Sequence, residues 1–428
     1  MEASLYWKEL LALVLLVLIL ATEPIYRSPL FNYSLDFIAD WQKSHGSPNN
    51  DVFFKLVSCL GNVSGCTILM LLVFIFASRK LFLKVCLLFF VALSVFFLFY
   101  TFYHQPRPYY ASDRVAAIAC IRSYGNPSGH SIMIPGVYGS LWLLLFVRKR
   151  EQPLIQHTVA RHIVMWGTLM LLIVAMVLVP ISRLYQGLHA LNQVIYGSLL
   201  GLWMAYTFAV ALDRYIDPYI DSVLMLSPAP SLHTPSVPFA IGRDDGLPRG
   251  TIMAVVVMPM AIQVLNLILY LALRNSPAFL SPANAARMNA KCPGDVSPMD
   301  SSLKGVLHTS LFPLIFVSQI ISARSFATIR NWETGIAPSK LAWRLGFVTF
   351  TMLIFFVPYM LADYSSFAVQ IAVAVILTSF LVPVGLLFVD WLAPAAGIVV
   401  FQDQDPRNEK DYVVELKYGT DQVPVGVM

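Results

Sequence analysis

Residues 81–108 read LFLKVCLLFFVALSVFFLFYTFYHQPRP. From Leu81 to Tyr103 the run holds one charged side chain, Lys84. It is long enough to cross hydrocarbon as a helix, which takes roughly 17–25 residues. It stops at His104-Gln105-Pro106-Arg107-Pro108, where two prolines oppose further helix and an arginine stands at the membrane edge. An apolar helix that ends on polar, chemically capable residues is the pattern of this chain, and working outward from it assigns the class. We read an all-α polytopic membrane helix bundle.

Composition agrees. Of 428 residues, 57% are hydrophobic and 12% are charged, with a mean hydropathy of +0.68. Soluble domains carry about 25% charged residues, so a soluble enzyme is excluded. The net charge of +5 is spread over many loops, so nucleic acid is not an expected partner. Ten spans are expected: Leu5–Ala21, Val57–Ala77, Leu81–Tyr103, Gly129–Val147, Ile163–Ile181, Val194–Leu212, Ile252–Leu273, Val306–Ile321, Leu345–Leu361 and Phe367–Val389. The first is read as a retained anchor, because no small-x-small cleavage site follows it cleanly.

With ten spans, most of the 29 lysines and arginines fall on the face that carries both termini, which makes that face cytosolic. The opposite face carries the glycosylation sequon Asn32-Tyr33-Ser34 and two cysteines, Cys120 and Cys292. Those cysteines can form a disulfide or remain two thiols.

The chain divides into residues 1–212 (six spans), 213–250 (a Pro-rich cytosolic loop), 251–401 (four further spans) and 402–428 (a polar cytosolic tail). The first unit is a six-helix core holding every candidate catalytic residue. The loop 275–304 returns to the same face as a lid or as a plain connector.

Three short stretches carry chemistry: His104-Gln105-Pro106-Arg107-Pro108, Pro127-Ser128-Gly129-His130, and Ser182-Arg183 followed by His189. All lie at span ends on one face. Ser128 can cap the helix that follows it, and Gly129 lets a ligand approach the backbone. The free N–H groups and dipole of that helix start favour an anion. Arginine suits phosphate because its planar fork engages two oxygens together. Gln193 stands four residues after His189, on the same helical face, where its side-chain oxygen can accept from the imidazole and fix the tautomer.

In this order the motifs resemble the type 2 phosphatidic acid phosphatase superfamily, which includes lipid phosphate phosphatases, sphingosine-1-phosphate phosphatases, glucose-6-phosphatase and vanadium haloperoxidases. Its pattern is K-x6-R-P, then P-S-G-H, then S-R-x5-H-x3-D. Arg107-Pro108, Pro127 to His130, and Ser182-Arg183 with His189 match it over about the first half of the chain. The resemblance implies that His189 is the nucleophile and forms a phosphohistidine. It implies that His130 is the general acid and then the base, and that Arg107, Arg183, Ser128 and the Gly129 backbone hold the phosphoryl oxygens. It implies no metal and no other cofactor.

Two positions depart from the pattern. Tyr100 stands in the place of the lysine, where its hydroxyl could donate one hydrogen bond to phosphate. On that alignment a lysine restored at 100 would keep or raise activity. Gln193 stands where most members have Asp, as in glucose-6-phosphatase. The expected function is an integral membrane, metal-independent phosphomonoesterase. Its substrate would be a lipid phosphate of sphingosine-1-phosphate or phosphatidic acid type, with membrane lipids around it. The alternatives are a glucose-6-phosphatase-like sugar phosphate hydrolase and a non-catalytic lipid-phosphate-binding protein. The expected setting is the endoplasmic reticulum, with the plasma membrane second, and the site lumenal or extracellular.

Overall fold

In the computed structural model, residues 6–147, 158–223, 258–273, 280–294, 297, 298, 300, 301, 303 and 305 are described. Among them the secondary structure is helical throughout. The long helices are α1 (Trp7–His45), α2 (Pro48–Cys59), α3 (Val63–Phe76) and α4 (Arg79–Tyr103). After them come α5 (Gly129–Val147), α6 (Thr158–Tyr185), α7 (Leu191–Ala211), α8 (Asp213–Val223), α9 (Met258–Leu273) and α10 (Pro282–Lys291). Five of the helices in the described residues are long and apolar enough to cross a membrane, or up to six if the bent pair α2–α3 is one span. The expected spans from Val306 onward, the first part of Ile252–Leu273, most of the loop 213–250 and the tail from Gln402 lie outside the described residues.

Expected and observed boundaries agree best at Gly129–Val147. The first span differs most. Instead of ending at Ala21, α1 runs on to His45 through Pro24 and Pro29. At 1.5 Å per residue it is about 58 Å long, against about 30 Å of hydrocarbon. Its second half therefore rises past the bilayer and becomes a wall of the motif-bearing end. There Ser34 is buried and its hydroxyl accepts from Leu191 N at 2.9 Å, while Asn32 of the sequon stays exposed. The second span is a pair of helices bent by 46° rather than one rod. Asn62 caps α3 by accepting from Gly65 N at 2.7 Å, which restarts the helix after the break. Gly61 sits in the break against His130, where a Cβ would lie 2.9 Å from the histidine's own Cβ.

The contact between α5 and α7 brings two motifs together. Gly197 and Gly201 stand one turn apart on α7; a Cβ on the first would lie 2.6 Å from Ser128 O and on the second 2.5 Å from Ile132 O. Small residues let membrane helices approach backbone to backbone, where burial of apolar surface gives little drive. The starts of the two helices, Ser128–His130 and His189–Gln193, consequently share one pocket. Inside α5 a widened turn at Ile134–Gly139 begins beside Pro135. Proline removes a backbone donor and crowds the preceding turn, and a π-type turn relieves both. At the far end of the bundle, Asp213, Asp217 and Asp221 line one face of α8. Lys84 pairs with Asp213 (3.7 Å) and Asp217, and Lys80 with Asp221 (2.8 Å). The start of the expected Pro-rich loop is thus a helix tied to α4.

Cys120 and Cys292 are disulfide-bonded, with Cα atoms 5.4 Å apart. The bond staples α10 to the segment between α4 and α5. Lys291 Nζ reinforces it by donating to the carbonyls of Tyr109 (3.0 Å), Ser112 (2.7 Å), Asp113 (3.1 Å) and Val115 (2.9 Å). Arg122 reaches back to Cys292 O and to Asn289 Oδ1. The described part of the loop 275–304 is therefore docked as a cap, with more structure than a plain connector.

Candidate active site

The pocket is built where α4, α5, α6 and α7 have their motif-bearing ends. α4 closes at His104, whose left-handed φ of 36° turns the chain, and Pro106-Arg107-Pro108 follows. Arg107 is buried and makes four hydrogen bonds. Its Nε donates to Ser123 O (2.8 Å), its Nη2 to Ser123 Oγ (2.6 Å), and its Nη1 to Leu188 O (2.8 Å) and to His189 Nε2 (2.9 Å). The other ring nitrogen of His189, Nδ1, lies 2.8 Å from Gly125 O. A carbonyl can only accept, so Nδ1 carries the proton and Nε2 presents its lone pair towards Arg107.

Arg183, at the end of α6, is also buried. Its Nη1 donates to Ser58 Oγ (2.7 Å) and to Gln186 Oε1 (3.1 Å), and its Nε is buried without a partner. Among the described residues both guanidiniums thus bond to neutral groups. Buried charges are normally paired, because leaving one bare in a low dielectric is costly. Two such cations beside a helix start make a cradle suited to an anion. His130 lies within electrostatic range of both, Arg183 and then Arg107. His189 lies within electrostatic range of both arginines and of His130. Burial first, then the two guanidiniums, hold the His189 pKa well below its ordinary value, so its imidazole is neutral at physiological pH.

Ser128 does not cap α5 through its side chain; its hydroxyl accepts from Ser131 Oγ at 3.0 Å instead. Its backbone N–H donates to Gln193 O at 3.0 Å. The first-turn N–H groups after it have no helical acceptor of their own. The Phe96 ring packs against Gly129, so that a Cβ there would lie 3.1 Å from it.

One expected contact is replaced by others. Gln193 does not accept from His189, because Gly125 O already does so. Its Oε1 accepts from Ala190 N (3.1 Å) and caps α7, while its Nε2 donates to Pro106 O (2.9 Å). Gln193 therefore ties the first and second motifs to the third. Tyr100 is buried beneath the loop, where its hydroxyl accepts from Tyr124 N at 2.6 Å. It packs with Tyr124, Tyr270 and Phe96. Ser58, Gly61, Ser123 and Gly125 are additions to the expected residues. The last acts through a carbonyl, which every residue has, so no side-chain pattern announces it.

Among the described residues no group of three His, Cys, Asp or Glu is placed to hold a metal. Residues 82–216, which contain all three motifs, match the family model of the PAP2 superfamily. No curated protein and no solved structure gives a significant match.

Proposed function

We propose that the protein is a membrane phosphomonoesterase that hydrolyses a lipid phosphate through a phosphohistidine at His189, without a metal. One observation carries this reading: two buried guanidiniums with neutral partners flank a histidine locked as the Nδ1–H tautomer. A phosphate dianion entering the cradle draws Arg107 Nη1 onto an oxygen and uncovers the Nε2 lone pair. Arg183 and the first-turn N–H groups of α5 take the remaining oxygens. Nε2 attacks phosphorus while His130, protonated once the bound dianion offsets the two guanidiniums, gives its proton to the leaving alkoxide. The positive charge on the phosphoimidazole is met by Nδ1–H donating to Gly125 O. His130, now neutral, takes a proton from water, and the hydroxide releases inorganic phosphate.

The apolar side of the cradle favours a lipid leaving group. Phe96 touches Gly129, and Tyr100, Tyr124 and Tyr270 pack beside it. Gln193 is committed to Ala190 and Pro106, so it does not bias the pocket towards a sugar. The disulfide supports a lumenal or extracellular site, because such bonds persist in oxidising compartments; we favour the endoplasmic reticulum. The test is phosphate release by membranes holding the protein, in EDTA, from sphingosine-1-phosphate, phosphatidic acid and glucose-6-phosphate. Release from the long-chain substrates, lost in His130→Ala, is expected. Preferred release from glucose-6-phosphate would overturn the lipid assignment, and binding without release would make the protein a lipid-phosphate binder.

The pH profile follows from the lowered His189 pKa. A free histidine titrates near 6.5. A depressed value keeps the nucleophile neutral further into acid, so the acid limb of kcat/KM should lie below about pH 6.5, after correction for the substrate's own ionisation. The same shift makes the fold lose stability as pH falls through the unfolded pKa, because the unfolded chain takes up the proton first. An acid limb above the ordinary histidine value would contradict the cationic surroundings.

A further inference from the structure

α1 holds a carboxylate about 24 Å from its start, at 1.5 Å per residue, in a helix that spans the membrane. Glu23 is fully buried. Its oxygens accept from Arg27 Nε at 2.8 and 2.9 Å and from Arg27 Nη2, and Oε1 also accepts from Asn126 Nδ2 at 2.9 Å. Arg27 in turn stacks on the Tyr103 ring, 4.5 Å from its centre. A charged group in a membrane helix is costly and commonly marks function. An ion pair needs only its two members, whereas this one has a third, and the third belongs to the catalytic loop.

Asn126 is buried and stands between two working parts. Before it, Gly125 accepts from His189 Nδ1, and its own N–H donates to Gln105 O at 2.8 Å. After it, Pro127-Ser128-Gly129 begins α5 and the N–H cradle. We propose that Glu23 is a positioning residue of the active site. Its carboxylate, held in place by Arg27, anchors Asn126, and through it sets both the carbonyl that fixes the His189 tautomer and the helix start that receives phosphate. The inference rests on His189 as the nucleophile. It assigns work to α1, which lies outside the matched segment 82–216.

A purely structural pair makes a different forecast. Replacing both members of a buried ion pair by apolar residues of similar size is often neutral or stabilising. The test is therefore the double variant Glu23→Leu/Arg27→Leu, which keeps the charge balance. Its thermal midpoint should fall by no more than the cost of leaving Asn126 Nδ2 unpaired. Its kcat should fall about 10-fold to 100-fold, the scale seen when an outer partner that orients an active-site imidazole is removed. Inhibition by orthovanadate, a phosphate mimic, should weaken in parallel. Asn126→Ala should lose a similar factor, and adding it to the double variant should cost little more, because both changes cut one linkage. If the double variant fails to assemble, Glu23→Gln keeps an acceptor for Asn126 and loses the charge; a several-fold loss of kcat at parental KM is then expected. Parental kcat in the variant that folds, or losses that multiply with Asn126→Ala, would overturn the proposal. His189→Ala run alongside separates the two readings: an active His189→Ala removes the nucleophile assignment itself, while an inactive one beside a fully active Glu23 variant removes only this inference.

Discussion

His189→Ala should abolish phosphate release, a fall of at least about 10³-fold, since knocking out a nucleophile removes the covalent route outright. The variant should still fold. His189 contributes one bond to Gly125 O and one to Arg107, and Arg107 keeps three other acceptors on Ser123 and Leu188. Substrate binding should therefore survive: the two arginines and the α5 start remain, so orthovanadate should still bind. Release equal to the parent's would end the phosphohistidine mechanism. The contrast with Gln193→Ala is informative. A residue that fixed the imidazole directly would cost nearly as much as the nucleophile. Here Gly125 O fixes it, and Gln193 caps α7 and ties down Pro106. A smaller loss of rate, accompanied by a lower thermal midpoint, is expected.

That contrast shows which parts of the site can be read in a sequence. Arg107, Arg183, His130 and His189 are legible because each is a chemically capable side chain placed where an apolar run stops. Their convergence is legible too, once all the motifs fall on one face of a bundle. Helical spacing pairs His189 with Gln193, yet α7 begins only at Leu191, so the two residues do not share helical geometry. A backbone carbonyl from the preceding loop takes the position instead. The long α1 was hidden for a related reason. Hydropathy registers where apolar residues end, whereas α1 continues as a helix past the bilayer because Ser34 and Gln42 bond to Leu191, Tyr185 and Ala116. Glu23 consequently falls just outside the expected first span, Leu5–Ala21. The pairing of Cys120 with Cys292, 172 residues apart, depends on the docking of α10, which nothing local in either segment encodes.

Tyr100→Lys reverses sign between the sequence and the structure. By alignment it restores a family lysine and should keep or raise activity. In place, Tyr100 is 2% exposed and packed among Phe96, Tyr124 and Tyr270. Its hydroxyl accepts the Tyr124 N–H, and an ammonium has no lone pair with which to do so. The substitution would strand a buried backbone donor, at a cost of about 1–3 kcal/mol. It would also place a further cation within electrostatic range of Arg107. Tyr124 precedes the carbonyl that orients His189, so the damage would reach the nucleophile directly. We expect Tyr100→Lys to lower the thermal midpoint and cut phosphate release by roughly 10²-fold or more, the scale of a lost transition-state donor. Tyr100→Phe strands the same Tyr124 donor, at about 1–3 kcal/mol, but it keeps the packed ring and adds no charge, so its loss of rate should be smaller than that of Tyr100→Lys. A Tyr100→Lys protein as active and as stable as the parent would mean that the lysine finds the phosphate after all, and that the tyrosine's bond to Tyr124 has no part in holding the loop.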